Sequence, residues 1–320
     1  MRLLFVTSNR LGDAVLSTGL LAHLIESHPG VRVTVAAGPI ALPLFQAVPG
    51  LEDLIALPKR PWKLHWLELW QRTVGKRWDL VVDLRRSMIP WTVRRARAYV
   101  LPRDDKRLHR VVMIASILGL ERTPPPPRVW LAPAHEELAR DLVPQDGTLA
   151  IGPTANWAGK IWPAERFAEL AERLTRPGAV LAGRPIAVFG AGNERMLAEP
   201  VLERLQGRPV LDLVGQTDLL TAAACLRRCA LYVGSDSGLM HLAAAAGTPT
   251  LGLFGPSWPE LYAPWGTCTA VARTDETFAE LAARPGYDPR TTGSLMGGLP
   301  VERAEAAAVD LLQRLESATA

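Results

Sequence analysis

Residues able to do chemistry gather in four short turns, each between an apolar run and a helical pattern. In open α/β sheets such turns form the carboxyl edge, where free N–H groups of helix N-termini meet ligands. The first is Asn9-Arg10-Leu11-Gly12-Asp13, after the run Leu3–Thr7. Gly12 permits close backbone approach. Asp13 opens the helix that follows, either as its cap or as a general base. The second runs from Gly152 through Thr154, Asn156 and Lys160 to Trp162-Pro163. Proline suits the first turn of a helix, and Lys160 is either a surface lysine or a cation for a diphosphate.

The third turn, Phe189-Gly190-Ala191-Gly192-Asn193-Glu194, resembles the start of a dinucleotide fingerprint, but Arg195 stands at the third glycine position. Glu194 there either caps a helix or accepts hydrogen bonds from ribose hydroxyls. The fourth, Gly234-Ser235-Asp236-Ser237-Gly238-Leu239-Met240-His241, invites a hydrolase reading with Asp236 as nucleophile. That chemistry needs a histidine later in the chain, and none follows His241. A phosphate cradle remains, built from the Ser237 hydroxyl and the N–H groups of Ser237, Gly238 and Leu239. No Asp-x-Asp pair occurs, so the residues suggest no carboxylate-held metal, and leaving-group charge falls to Lys160 and helix dipoles.

The elements that must hold these turns alternate. Strands are expected at Leu3–Thr7, Arg32–Ala36, Leu54–Leu57 and Leu80–Asp83, with a helix over Asp13–Ser27. A proline run, Pro124–Pro127, marks a linker or exposed loop, since prolines cannot donate to a ladder. Alternation then resumes: strands near Leu149–Gly152, Ile186–Gly190, Val210–Leu213, Leu231–Gly234 and Thr250–Phe254, helices near Ala164–Leu174, Glu194–Leu205, Leu219–Arg228 and Leu239–Ala246. That order predicts two doubly wound parallel sheets in tandem. The domains are placed at 1–145 and 146–300, with an amphipathic tail helix over 301–320 packing back on the first.

The chain has 320 residues, 48% of them hydrophobic and 21% charged, which suits two ordinary globular domains and excludes disorder. The amino-terminal apolar run is too short for a secretory signal. Cys225, Cys229 and Cys268 form neither a disulfide framework nor a metal set, and read as thiols of a reducing cytoplasm. Net charge is +4, yet fifteen Lys/Arg face five Asp/Glu between Lys59 and Arg110. Such local excess either solvates a face or attracts an anionic partner. Trp62, Trp66 and Trp70 recur every four residues beside Lys59, Arg60, Lys63, Lys76 and Arg77. A helical stripe of this kind either joins the core or docks on an anionic bilayer.

Taken in order, Arg10-Leu11-Gly12-Asp13, Lys160-x-Trp162-Pro163, Phe189-Gly190, Asp236-Ser237-Gly238-Leu239-Met240-His241-Leu242-Ala243-Ala244-Ala245 and Leu253-Phe254-Gly255-Pro256 resemble the ADP-heptose:lipopolysaccharide heptosyltransferases, glycosyltransferase family 9. The resemblance implies a GT-B architecture, two Rossmann-like domains facing a central cleft, and inverting sugar transfer from an ADP-sugar to a glycolipid core without metal or other cofactor. It implies Asp13 as catalytic base. Gly12, Thr154, Asn156, Lys160, Glu194, Asp236, Ser237, Gly238, Leu239 and His241 would hold the donor; Arg10, Lys59, Arg60 and Lys63 would hold an anionic acceptor. The location implied is the cytoplasm, peripheral on the inner membrane, with no nucleic-acid partner. The segment Gly293–Pro300 departs from the family in lacking its usual cysteine. The competing readings are another nucleotide sugar, a nicotinamide-dependent oxidoreductase, and a nucleotide-binding module without catalysis.

Overall fold

The computed structural model describes residues 1–103, 107–288 and 290–319. Asp104, Asp105 and Lys106 of the basic stretch, and Ala320 of the tail, lie outside the described residues. Two compact units divide at Ala132/Pro133.

The first unit runs β1 (Arg2–Val6), α1 (Leu11–Ser27), β2 (Arg32–Ala37), β3 (Leu51–Ala56), α2 (His65–Thr73), β4 (Arg77–Asp83), α3 (Ile89–Thr92), β5 (Arg94–Val100) and α4 (Arg110–Ala115). Its sheet is parallel, in the order β3-β2-β1-β4-β5. Leu3, Leu4, Phe5 and Val6 are all fully buried. A parallel strand covered on both faces reads as one continuous apolar run, which is why β1 was visible in sequence. The chain winds to one side of β1 through β2 and β3, then returns to the other side at β4, so the switch point lies between β1 and β4.

The proline run is a strap rather than a free linker. It crosses α1 at Gly19, where a Cβ would come within 2.2 Å of the Pro125 carbonyl. Thr18 Oγ1, next to that glycine, accepts the Arg128 backbone N–H at 2.9 Å.

The tryptophan stripe is not one helical face. Trp62 and Lys63 sit in a single 3-10 turn with left-handed φ of 55° and 57°, and α2 begins only at His65. Trp62 is 93% exposed, whereas Trp66 packs against the core formed by residues such as Leu69, Trp78 and Ile89. Four-residue spacing had implied one continuous helix; Pro61 and the left-handed pair break it.

The second unit runs α5 (Pro133–Leu142), β6 (Thr148–Gly152), α6 (Ala164–Thr175), β7 (Ile186–Val188), α7 (Arg195–Arg204), β8 (Val210–Asp212), α8 (Leu219–Arg227), β9 (Cys229–Ser235), α9 (Gly238–Ala246), β10 (Thr250–Phe254), α10 (Pro259–Tyr262), β11 (Thr269–Arg273), α11 (Phe278–Ala282) and α12 (Val301–Thr319). Its sheet is parallel in the order β11-β10-β9-β6-β7-β8, with the switch point between β6 and β9. The boundary precedes the expected residue 145 because α5 packs on α8, with Ala139 buried and Arg228 Nε donating to the Val143 carbonyl at 2.6 Å.

The tail helix also departs from expectation: α12 packs on α6, β10 and β11 of the second unit. Val301, Ala304, Ala308, Leu311 and Leu312 enter that unit's core, and Arg173 on α6 reaches Glu302 and Glu305 on the tail. Both apolar and charged complements of this helix are therefore in the second unit. No helix among the described residues is long and apolar enough to cross a membrane.

Candidate functional site

The edge of the first sheet is built around Asp13. Arg10 takes the N-cap position of α1 in extended conformation without a side-chain cap, so Asp13 falls in the first turn and is not itself the cap. Instead its carboxylate stands 3.5 Å from Ser8 Oγ, which donates to Oδ2, and 3.4 Å from the Arg110 guanidinium through Oδ1. Oδ1 is buried and receives no hydrogen bond. Arg110 arrives because α4 packs on α1.

From the other side of the switch point comes Arg85, after β4. It donates to Asn9 Oδ1 at 2.6 Å and lies 5.3 Å from the Trp66 ring centroid. Burial lowers the Arg85 guanidinium from its ordinary pKa, while Asp83 and Asp13 pull it back up. Asp83 is fully buried and accepts the backbone N–H groups of Arg85 and Ser87, fixing that turn. Among the expected residues, Gly12 and Asp13 are half-buried, whereas Arg10, Lys59, Arg60 and Lys63 are exposed. Arg60 pairs with Glu68 at 3.1 Å. Ser8, Asn9, Arg85 and Arg110 were assigned no site role from sequence. The strand-end rule would have found Arg85; nothing local marks Arg110, which depends on helix packing.

The second edge collects three turns. Lys160 Nζ donates to Asp236 Oδ2 at 2.6 Å, joining the turn after β6 to the turn after β9 across the switch point. Asp236 is only 6% exposed, so this cation largely compensates a buried carboxylate. His241, on α9, lies 4.0 Å from the other oxygen of Asp236. Ser237 is the N-cap of α9 yet makes no side-chain capping bond, leaving the N–H groups near Gly238 and Leu239 for a ligand. Thr154 Oγ1 donates to Glu194 Oε2 at 2.8 Å, and that oxygen also accepts the Ala191 N–H at 3.0 Å. Asn156 is exposed. Arg195, the departure from the dinucleotide fingerprint, engages Asp212 at 2.5 Å and Glu199 at 3.0 Å.

The segment without the expected cysteine holds the Lys160 turn in place. Leu295 N–H donates to the Gly159 carbonyl at 3.0 Å, Ser294 Oγ to the Ile161 carbonyl at 2.5 Å, and Trp162 Nε1 to the Leu299 carbonyl at 3.0 Å. Three bonds from one loop thus clamp both sides of Lys160. Among the described residues no group of three or more His, Cys, Asp or Glu is arranged to hold a metal ion.

Chemically, the first edge offers a carboxylate able to accept a proton. The second offers a lysine and an uncapped helix N-terminus suited to phosphate oxygens. Comparison with known proteins identifies the family. The sequence model of "Glycosyltransferase family 9 (heptosyltransferase)" matches residues 68–282. The chain is 26% identical over 311 residues to lipopolysaccharide heptosyltransferase 2 of Salmonella typhimurium, covering 85% of this chain and 88% of the relative. In fold it is similar to a family 9 glycosyltransferase of Veillonella parvula, with TM-score 0.79 at 21% identity, covering 98% of this chain and 97% of that one. It is also similar to the ADP-heptose lps heptosyltransferase II of E. coli, with TM-score 0.74 at 21% identity, covering 99% and 100%. Two Rossmann-like α/β domains of the GT-B class, with the family model matching residues 68–282, establish the enzyme class: the chain belongs to glycosyltransferase family 9.

Proposed function

We propose that this glycosyltransferase moves a heptose from an ADP-sugar to a lipopolysaccharide core or similar anionic glycolipid, inverting the anomeric centre. The observation that carries the reading is the Asp13 carboxylate, buried at one oxygen without a hydrogen bond yet held beside Ser8 and Arg110. In the reaction Asp13 removes the proton of the acceptor hydroxyl as its oxygen attacks the anomeric carbon opposite the nucleotide. Lys160 moves from Asp236 onto the departing diphosphate, whose charge is also met by the N-terminus of α9. That pair of positive groups takes the role a metal would otherwise fill. Thr154 and Asn156 contact the phosphates, Glu194 the ribose, and Asp236 and His241 the donor sugar. Arg10, Lys59, Arg60 and Lys63 receive the anionic acceptor at the cytoplasmic face of the inner membrane.

A thermal-shift panel with ADP, UDP, GDP, CMP and NAD, each with and without magnesium, tests the donor. ADP should stabilise selectively and independently of metal. Stabilisation by NAD alone would overturn the reading.

A further inference from the structure

The second edge contains a phenol to which the mechanism above gives no role. Tyr232 lies on β9 with no exposed surface. Register places it beside Ala150, and two residues on it places Gly234 beside Gly152, so all four share one face of the sheet. The ring runs toward the carboxyl edge over these glycines. A Cβ at Gly152 would meet the phenol oxygen at 1.9 Å, and one at Gly234 would meet it at 2.3 Å. Missing side chains on two adjacent strands let Oη stand at the switch point between β6 and β9.

At that point Oη has no hydrogen-bond partner, nor have the hydroxyls of Ser235 and Ser237. Burial raises the phenol pKa above its ordinary value. Ser237, close but outside hydrogen-bond geometry, pulls it down, and Glu194 adds to the rise. The group is therefore a neutral donor at physiological pH. Folded proteins rarely bury a donor without an acceptor, because its lost hydration is not replaced. The acceptor that suits this place is an anion, since the uncapped N-terminus of α9 begins at Ser237 and Lys160 pairs with the neighbouring Asp236.

We propose that Tyr232 is a donor-site residue whose phenol O–H hydrogen-bonds the diphosphate of the nucleotide substrate, beside Ser237 at the start of α9. This rests on the nucleotide-sugar reading of the same edge. The competing role is structural, a buried water bridging Tyr232, Ser235 and Ser237.

Tyr232→Phe keeps the ring between its glycines and removes only the oxygen. Two quantities separate the roles: the melting temperature of the ligand-free protein, and the Kd for inorganic pyrophosphate, ADP, UDP and GDP by calorimetry. We expect Kd for pyrophosphate and ADP to weaken at least about tenfold. The ligand-free melting temperature should stay level or rise, because an unsatisfied hydroxyl has gone. A lower melting temperature with unchanged Kd would overturn the proposal and assign the hydroxyl to structure. Equal wild-type affinity for ADP, UDP and GDP, all weakened alike by Y232F, would sink the ADP reading and uphold Tyr232. A wild-type protein that binds none of these probes overturns both.

Discussion

At the residue scale, two charged groups carry the account and each makes its own prediction. Asp13→Asn keeps the shape of the first turn of α1 and removes the proposed base. Transfer should fall by roughly 10²–10⁴-fold while ADP affinity is retained; calorimetry on the same preparation checks the second half. Lys160→Ala should weaken ADP binding and also destabilise the protein, by about 1–3 kcal/mol, because Asp236 is left buried without its cation. Urea unfolding reads that loss, and a fully stable variant would contradict the pairing. Much of this site was legible in sequence, since Asp13, Lys160, Glu194 and Asp236 stand at turns that follow continuous apolar runs. Their partners were not. Arg110 meets Asp13 only because α4 packs on α1, and Tyr232 looks like an ordinary strand residue until Gly152 and Gly234 are placed beside it.

At the element scale, the strands buried on both faces were readable because parallel sheets need unbroken apolar runs, and β1, β6, β9 and β10 have them. Elements whose surroundings matter more than their pattern were misjudged. The four-residue tryptophan spacing suggested one helix, but α2 begins after Trp62. The apolar stripe of α12 was recognised, while its destination depended on tertiary packing that the periodicity of one helix does not specify. That helix gives a sharp test: Leu311→Ala leaves a cavity among α12, α6 and the second sheet and should cost about 2–5 kcal/mol. Chemical denaturation checks it, and a cost near zero would remove α12 from the core. In the first unit, Trp62 and Trp91 are 93% and 57% exposed; Lys63, next to Trp62, and Arg86, shortly before Trp91, both have left-handed φ. If these turns meet the anionic bilayer that carries the acceptor, Trp62→Ala with Trp91→Ala should reduce co-sedimentation with phosphatidylglycerol vesicles, leaving soluble-acceptor turnover intact. Unchanged co-sedimentation would count against bilayer contact. The thiols are equally specific: burial pushes Cys225 up to about 11 and Cys229 higher still, whereas Cys268 is half-buried. A thiol reagent at pH 8 should modify Cys268 first, with Cys225 and Cys229 reacting only on unfolding.

At the scale of the whole molecule, the two units repeat one arrangement: a parallel sheet, a switch point, and polar or charged side chains brought there from both sides. Asn9 and Arg85 meet across the β1/β4 switch, Lys160 and Asp236 across the β6/β9 switch. Each edge thereby gathers a different set of groups, the Asp13 carboxylate on one sheet and Lys160 with the uncapped N-terminus of α9 on the other. The role proposed for Lys160 and α9 in neutralising the leaving group predicts that chelation leaves turnover unchanged. The most direct measurement is therefore a transfer assay, with purified protein, ADP-heptose, a heptose-deficient lipopolysaccharide core and EDTA. The account predicts ADP release matched by addition of one heptose to the core, with inverted anomeric configuration by NMR. Retention of configuration, a requirement for added metal, or turnover of a UDP-sugar in place of ADP-heptose would contradict it.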